Sequence, residues 1–315
     1  MPESSEASPR RPRLTHDTTD PSARPASPRV RKPARERLDT LLVRRGLAPS
    51  RERARALIMA GEALVNGRVA SKAGEMVAED ATLALASPAE ELRYVSRGGL
   101  KLEHALDTFA LDPAGLACLD VGASTGGFTD VLLRRGARHV YAVDVGHGQL
   151  AWTLRADPRV TVMERTNIRY LERLPEPVGC AVCDVSFISL RLVLPRIAAL
   201  LAPGGWAVTL VKPQFEAGRA EADRGRGVIS DPAIHRRVLR ELLAWLAAWP
   251  ERAARDETAG PPLVARGLTG SPIAGRDGNR EYLLWLTRPP ADARAPVSVV
   301  DEEMVGRAVA ATLGQ

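Results

Sequence analysis

Leu119-Asp120-Val121-Gly122-Ala123-Ser124-Thr125-Gly126-Gly127-Phe128 decides how the rest of the chain is read. An apolar run meets three glycines, and helical spacing resumes after them, so the stretch reads as strand, tight loop and helix start. Gly122, Gly126 and Gly127 let a backbone turn sharply and approach a ligand closely. In open α/β sheets ligands lie at the carboxyl ends of the strands, where this loop falls. The next strand-like run, Val140–Asp144, closes on a carboxylate suited to ribose hydroxyls, with Val145 beside it.

The loop spacing is not G-x-G-x-x-G, and Asp120 just ahead of it would repel a pyrophosphate while suiting a cationic aminoacyl group. These two details favour S-adenosylmethionine over a dinucleotide. The expected binding set is Asp120, Gly122, Ala123, Ser124, Thr125, Gly126, Gly127, Phe128, Asp144 and Val145, with Asp184 across the cleft.

Outward from the loop, strand-like runs appear at 116–121, 140–144, 160–163, 180–184, 207–212, 263–268 and 281–286. Helical periodicity fills most gaps, clearest over 190–201 and 234–249, so the expected fold is α/β with a doubly wound, mostly parallel sheet. The last two strands are separated by a short Gly- and Pro-bearing connection that cannot hold a crossover helix, so they should pair antiparallel. Six parallel strands and one reversed give a seven-stranded, Rossmann-like methyltransferase plan.

That topology gathers ionisable residues. Asp184 and Lys212 close the fourth and fifth strands, Glu281 opens the reversed seventh, and Lys101 precedes the sheet. A ribose 2′-hydroxyl is a poor nucleophile until its proton is taken or held. A lysine of lowered pKa can do this, while carboxylates beside it orient the amine and push its pKa the other way. Lys212 is the expected base or hydroxyl-orienting group, Asp184 and Glu281 position it, and Lys101 places the ribose.

Ahead of the sheet, residues 37–86 read as a small αβ domain. Two helices end at Gly46 and Gly61, Ser50 caps the second, and Asn66-Gly67 turns a hairpin. Arg44, Arg45, Arg51, Arg53 and Arg55 crowd one helix-turn-helix region. Together with Arg68, Lys72 and Arg97 they form the expected RNA-binding set, because guanidinium groups pair bidentately with phosphate. Residues 1–36 are expected to form a disordered Pro/Arg-rich tail and 87–97 a linker. The sheet domain spans 98–290, and 291–315 is a tail with a short helix over 301–313.

The chain carries 44 Lys and Arg against 38 Asp and Glu, a net +6 that points to a polyanionic partner. Three cysteines and the lack of an apolar leader suggest a reducing, cytoplasmic setting. No apolar run is long enough to span a bilayer. Cys180-Ala181-Val182-Cys183 has metal-ligand spacing, but positions i and i+3 of a strand face opposite sides, so no metal is expected. The long Gly- and Arg-rich stretch 214–230, just past Lys212, reads as a cover or clamp.

Four stretches carry a resemblance: Ser96-Arg97-Gly98-Gly99-Leu100-Lys101-Leu102, the 120–130 loop, Asp184-Val185-Ser186-Phe187-Ile188-Ser189-Leu190, and Val211-Lys212-Pro213-Gln214-Phe215-Glu216. They closely resemble the TlyA (hemolysin A) family, from about Arg37 to Arg288. The resemblance implies an S4-type RNA-binding domain and an FtsJ-like methyltransferase domain whose Lys-Asp-Lys-Glu tetrad falls on Lys101, Asp184, Lys212 and Glu281. It also implies 2′-O-methylation of cytidine in ribosomal RNA. The proline-rich N-terminus and Arg224-Gly225-Arg226-Gly227-Val228 depart from the family's pattern. Two other function classes compete: a membrane-active hemolysin, and an RNA-binding assembly factor without activity. The intact glycine loop and complete tetrad favour the enzyme.

Overall fold

A computed structural model of the chain describes residues 34–59, 61–70, 72–86, 93–218, 221, 225, 227–255, 260–275, 278–290 and 298–314. Residues 1–33 of the expected N-terminal tail, most of the linker, part of the stretch after Lys212, and residues 291–297 of the expected C-terminal tail lie outside the described residues.

The N-terminal part opens with strand β1 (Arg35–Arg37), helix α1 (Leu38–Arg44) and helix α2 (Arg51–Met59). Short strands β2 (Ala63–Val65), β3 (Arg68–Val69), β4 (Met76–Ala78) and β5 (Leu83–Leu85) follow. Leu38, Leu41 and Leu42 meet Ala54, Leu57, Ile58 and Val77 in a core of their own. Burying each leucine there contributes roughly 1.5–3 kcal/mol. The Ser50 hydroxyl accepts the Arg53 amide at 3.1 Å, the expected cap on α2. Asn66 and Gly67 both have positive φ (51° and 77°), as a two-residue hairpin turn requires. One difference is that Arg35–Arg37, assigned from sequence partly to the tail, pairs antiparallel with β4. Three residues are too few to show a period.

Helix α3 (Gly98–Phe109) leads into the large sheet. Its elements are β6 (Ala117–Val121), α4 (Gly127–Arg134), β7 (His139–Val143), α5 (Trp152–Arg155), β8 (Val160–Met163) and β9 (Val178–Cys183). Next come α6 (Leu194–Leu200), β10 (Leu201–Val211), α7 (Pro213–Glu216), α8 (Pro232–Ala247) and α9 (Trp249–Arg255). Strands β11 (Val264–Gly270) and β12 (Tyr282–Thr287) and helix α10 (Glu302–Leu313) complete it. The sheet order is β11-β12-β10-β9-β6-β7-β8, and β12 alone runs against its neighbours. This is the expected plan of six parallel strands and one reversed.

Strand alternation divides the core. Leu119, Val121 and Cys183 face the layer of α6, α8 and α10, while Cys118, Cys180 and Val182 face α3 and α4. Cys180 and Cys183 therefore lie on opposite faces; Cys180 instead meets Cys118 of the neighbouring strand, Sγ to Sγ, at 2.9 Å. Trp249 is buried and packs against Trp245, with ring centroids 4.8 Å apart and planes tilted by 51°. Trp152 is 63% exposed and packs into neither core nor cleft.

Candidate active site

The winding direction reverses between β6 and β9, and the crevice of such a sheet opens at the carboxyl ends of those strands. Two adjoining cavities occupy it. A cavity of about 420 Å³ is lined by Asp144, Val145, Thr166, Asn167, Ile168 and the 184–188 stretch. One of about 160 Å³ is lined by Ser96, Arg97, Lys101, the glycine loop and Gly275. Gly122, Ser124 and Asp184 belong to both, so they mark where the cavities meet.

The loop between them is tightly specified. Gly122 sits at φ 82°, and a Cβ there would lie 2.4 Å from the Asp184 carbonyl oxygen. Only glycine permits this approach. Asp144 accepts the Ser124 amide at 2.8 Å and the Gly146 amide at 2.7 Å, which fixes its carboxylate at the rim of the larger cavity. Thr125, Gly127 and Phe128 line the smaller cavity, whereas Gly126 turns the chain against Leu150 and Leu154. Asp120 is fully buried beneath the loop, accepts the Thr129 hydroxyl at 2.6 Å, and lines neither cavity. Burial, opposed by the Thr129 bond and aided by Asp184 and Asp144, pushes its carboxyl up to about 7.

The four expected catalytic residues converge. Lys101 Nζ lies 2.5 Å from Glu281 Oε2, and Lys212 Nζ lies 2.5 Å from Asp184 Oδ1. Lys212 also donates to the Ser186 hydroxyl at 3.0 Å. Both lysines are more than nine-tenths buried, as is Glu281. The Asp184 carboxyl is held below its usual value: burial opposes this, but the Lys101 and Lys212 ammonium groups prevail. For Lys212, burial disfavours the charge, yet Asp184 and Glu281 outweigh it and raise its pKa. The carboxylates thus win over desolvation, and Lys212 is an ammonium near neutrality.

Several residues that sequence reasoning passed over complete the site. Asn279, nearly fully buried, accepts the Ile229 amide and donates to the Gly227 carbonyl, so it ties the end of the 214–230 stretch beside Glu281. Gly275 packs so closely on Glu281 that a Cβ would lie 2.7 Å from its Oε1. Phe187 is 90% exposed at a left-handed φ of 64° and faces Phe215 with centroids 5.0 Å apart. A bulky residue in that conformation is strained, and such strain collects at functional sites. The Asp-Val-Ser-Phe run was the available signal for Phe187; nothing local marked Asn279.

The expected RNA-binding residues divide into groups. Arg68 and Lys72 are exposed on the hairpin side. Arg44 pairs with Glu36 at 2.6 Å, and Arg45 donates to the Glu79 carbonyl at 2.8 Å. Arg51 and Arg55 converge on the buried Asp39. Arg53 donates to the Tyr94 and Val95 carbonyls at 2.7 and 2.9 Å, and Arg97 pairs with the buried Glu62 at 2.9 Å. These last two join the N-terminal part to the sheet domain, and Met59 at the end of α2 helps line the smaller cavity.

Residues 94–256 match the family model of FtsJ-like methyltransferases, and residues 36–83 match that of the S4 domain. The chain is 46% identical over 256 residues to the 16S/23S rRNA (cytidine-2′-O)-methyltransferase TlyA of Mycobacterium tuberculosis (strain ATCC 25618 / H37Rv), covering 80% of this chain and 90% of that protein. It is 39% identical over 251 residues to Hemolysin A of Brachyspira hyodysenteriae, covering 78% and 98% respectively. A solved structure of a hemolysin-class protein from Streptococcus thermophilus superposes with a TM-score of 0.62 at 43% identity, covering 87% of this chain and 96% of that one. The chain belongs to the TlyA (hemolysin A) family of FtsJ-like methyltransferases, with an S4 domain ahead of the methyltransferase fold.

Proposed function

We propose that the protein transfers a methyl group from S-adenosylmethionine to a ribose 2′-hydroxyl, of cytidine, in ribosomal RNA. The observation that carries this reading is the pair of lysine–carboxylate contacts, Lys101–Glu281 and Lys212–Asp184, set beside the glycine-floored crevice. The names of the M. tuberculosis relative and of a Campylobacter jejuni 23S rRNA (cytidine-2′-O)-methyltransferase, 32% identical, support the substrate.

The residues fit the cofactor. Gly122 removes the side chain that would fill the floor, and Asp144 gives the larger cavity a negative rim that suits a cation. Asp144 would hold ribose hydroxyls, and Thr166–Ile168 with Val145 would enclose the base. When bound, S-adenosylmethionine supplies an electrophilic methyl group.

The protein's own groups act on the hydroxyl. Lys212, kept cationic, donates a hydrogen bond to the 2′-oxygen and fixes its lone pair toward the methyl donor. Of the two roles expected for Lys212, the raised pKa favours orientation over proton abstraction. Asp184, kept ionised between the two lysines, holds Lys212 in position, and the proton released from the hydroxyl passes to water. Lys101, locked by Glu281, steadies the ribose. Phe187 offers an exposed ring at the mouth of the larger cavity on which a nucleobase can stack.

The test is methyl transfer from labelled S-adenosylmethionine to unmodified ribosomal subunits, comparing wild type with Lys212→Ala and mapping the product. Label at a ribose 2′-oxygen that disappears in the variant supports the reading. A folded wild type that binds cofactor but incorporates no label into either subunit would count against it. A hemolytic reading finds less support: among the described residues no helix is long and apolar enough to cross a membrane.

A further inference from the structure

Asp39 stands apart from the crevice, and no residue role assigned so far uses it. Its side chain is completely buried, yet three guanidinium groups reach it from the surface. Arg37 grips it with two bonds, Nε to Oδ1 and Nη2 to Oδ2, both at 3.0 Å. Arg51 Nη2 and Arg55 Nε reach Oδ2 at 3.1 and 3.3 Å. The main chain holds the carboxylate in place. The Thr40 amide donates to Oδ1 at 3.0 Å, and the Asp39 amide donates to the Ala73 carbonyl at 3.2 Å. Gly74 leaves room for Arg37; a Cβ there would come within 3.3 Å of its Nη1.

The charge balance is uneven. One bidentate arginine already satisfies a buried carboxylate. The second and third arginines each spend a single N–H on it and leave the rest of a five-donor fork free to point outward. Their side chains remain 55% and 58% exposed, and that of Arg37 remains 42% exposed. Three cations on one anion leave a net charge of about +2 at a fixed point on the surface, with exposed Lys72 in the adjoining loop.

We propose that Asp39 is a positioning residue that organises Arg37, Arg51 and Arg55 into a cradle for a backbone phosphate of the RNA substrate. The proposal rests on the reading of RNA as substrate given above. Asp39 touches no RNA. It holds three long, otherwise mobile side chains in one geometry, so that binding does not have to order them.

The sign of one substitution tests this. Asp39→Asn keeps the shape but adds one positive charge near the RNA. Charge alone predicts tighter binding to a polyanion. Loss of the cradle predicts weaker binding, by about tenfold, the cost of ordering two or three rotamer-rich side chains anew. The measurement is the dissociation constant for ribosomal RNA across a salt series, with thermal unfolding followed alongside. Weaker binding at every salt concentration with an intact unfolding transition supports the cradle; unchanged or tighter binding overturns it.

Should Asp39→Asn lose its cooperative transition, Arg51→Lys decides instead. It keeps the charge at an exposed position but cannot bridge carboxylate and phosphate with a planar fork. Weaker binding supports the proposal, and full affinity overturns it. A wild type that does not bind ribosomal RNA overturns the substrate reading and the cradle together. A binding wild type with a fully binding Asp39→Asn overturns the cradle alone.

Discussion

Two parts of this molecule solve the same electrostatic problem in opposite ways. In the S4 part, one buried carboxylate, Asp39, gathers three arginines that stay half-exposed. In the crevice, two carboxylates meet two lysines one to one, and both lysines are almost wholly buried. The first arrangement leaves excess charge facing solvent, where it can attract a polyanion at range. The second cancels its charge internally and holds two ammonium groups at fixed points, an arrangement suited to the proposed reaction on a neutral hydroxyl. Exposed surplus suits binding; buried balance suits chemistry.

The largest expected break in this comparison is Lys212→Ala. It removes the cation proposed to orient the hydroxyl and should lower methyl transfer by about 10²–10⁴-fold, with little change in RNA affinity. Single-turnover rates measured beside RNA dissociation constants will check both halves. Equal losses in the two would show that Lys212 belongs with the binding charges.

Next in size is Glu281→Gln. It leaves Lys101 buried without its anion, a change that typically costs about 3–5 kcal/mol when one partner of a buried pair is removed. Denaturant titration should show a clear loss of stability, whereas Arg44→Gln, which breaks a half-exposed pair with Glu36, should cost under about 1 kcal/mol. Similar values for the two would erase the distinction between the regions. Phe187→Ala should have a smaller and differently shaped effect. It removes an exposed ring but keeps the Cβ that strains the left-handed backbone, so it should change stability little, while it weakens nucleotide binding at the site. A variant that is both less stable and fully active would sink the stacking role.

The sequence carried the sheet, its reversed strand and the convergence of Lys101, Asp184, Lys212 and Glu281 because each has a local signature that topology then combines. Asp184 and Lys212 end apolar runs, Glu281 begins one, and a reversed strand brings its start to the ends of the others. Arg53 and Glu62 had no such signature. Each finds its partner across domains, on a linker carbonyl or on Arg97, and no spacing rule reports that. Arg53 looked like one more member of a basic cluster. Asp39 was hidden for a related reason: a single acid at the start of a short helix reads as an ordinary first-turn charge. The protonation of Lys212 was also beyond sequence, since burial and two carboxylates act in opposite directions and only distances decide between them.

The comparison sharpens last along the pH axis, where the crevice titrates in three separate windows. Asp184 has a folded pKa below its unfolded value, so its contribution to stability is present above the unfolded pKa and fades as pH falls through the lower folded one. Lys212 has a raised folded pKa, so its contribution is complete below the unfolded value and is lost as pH rises through the folded one. Asp120 occupies the middle. With its carboxyl pushed up to about 7, the folded chain binds a proton that the unfolded chain has released, and stability therefore declines as pH rises from the ordinary carboxylate range toward 7. A cationic ligand above the loop favours the ionised form, so the preference for S-adenosylmethionine over neutral-sulfur S-adenosylhomocysteine should grow as pH passes 7. Asp120→Asn should flatten both trends. Unfolding midpoints across pH and calorimetric titration of the two ligands will read them separately. If the variant keeps the wild-type ligand preference at every pH, the field of Asp120 does not reach the cofactor, and its burial serves the loop alone.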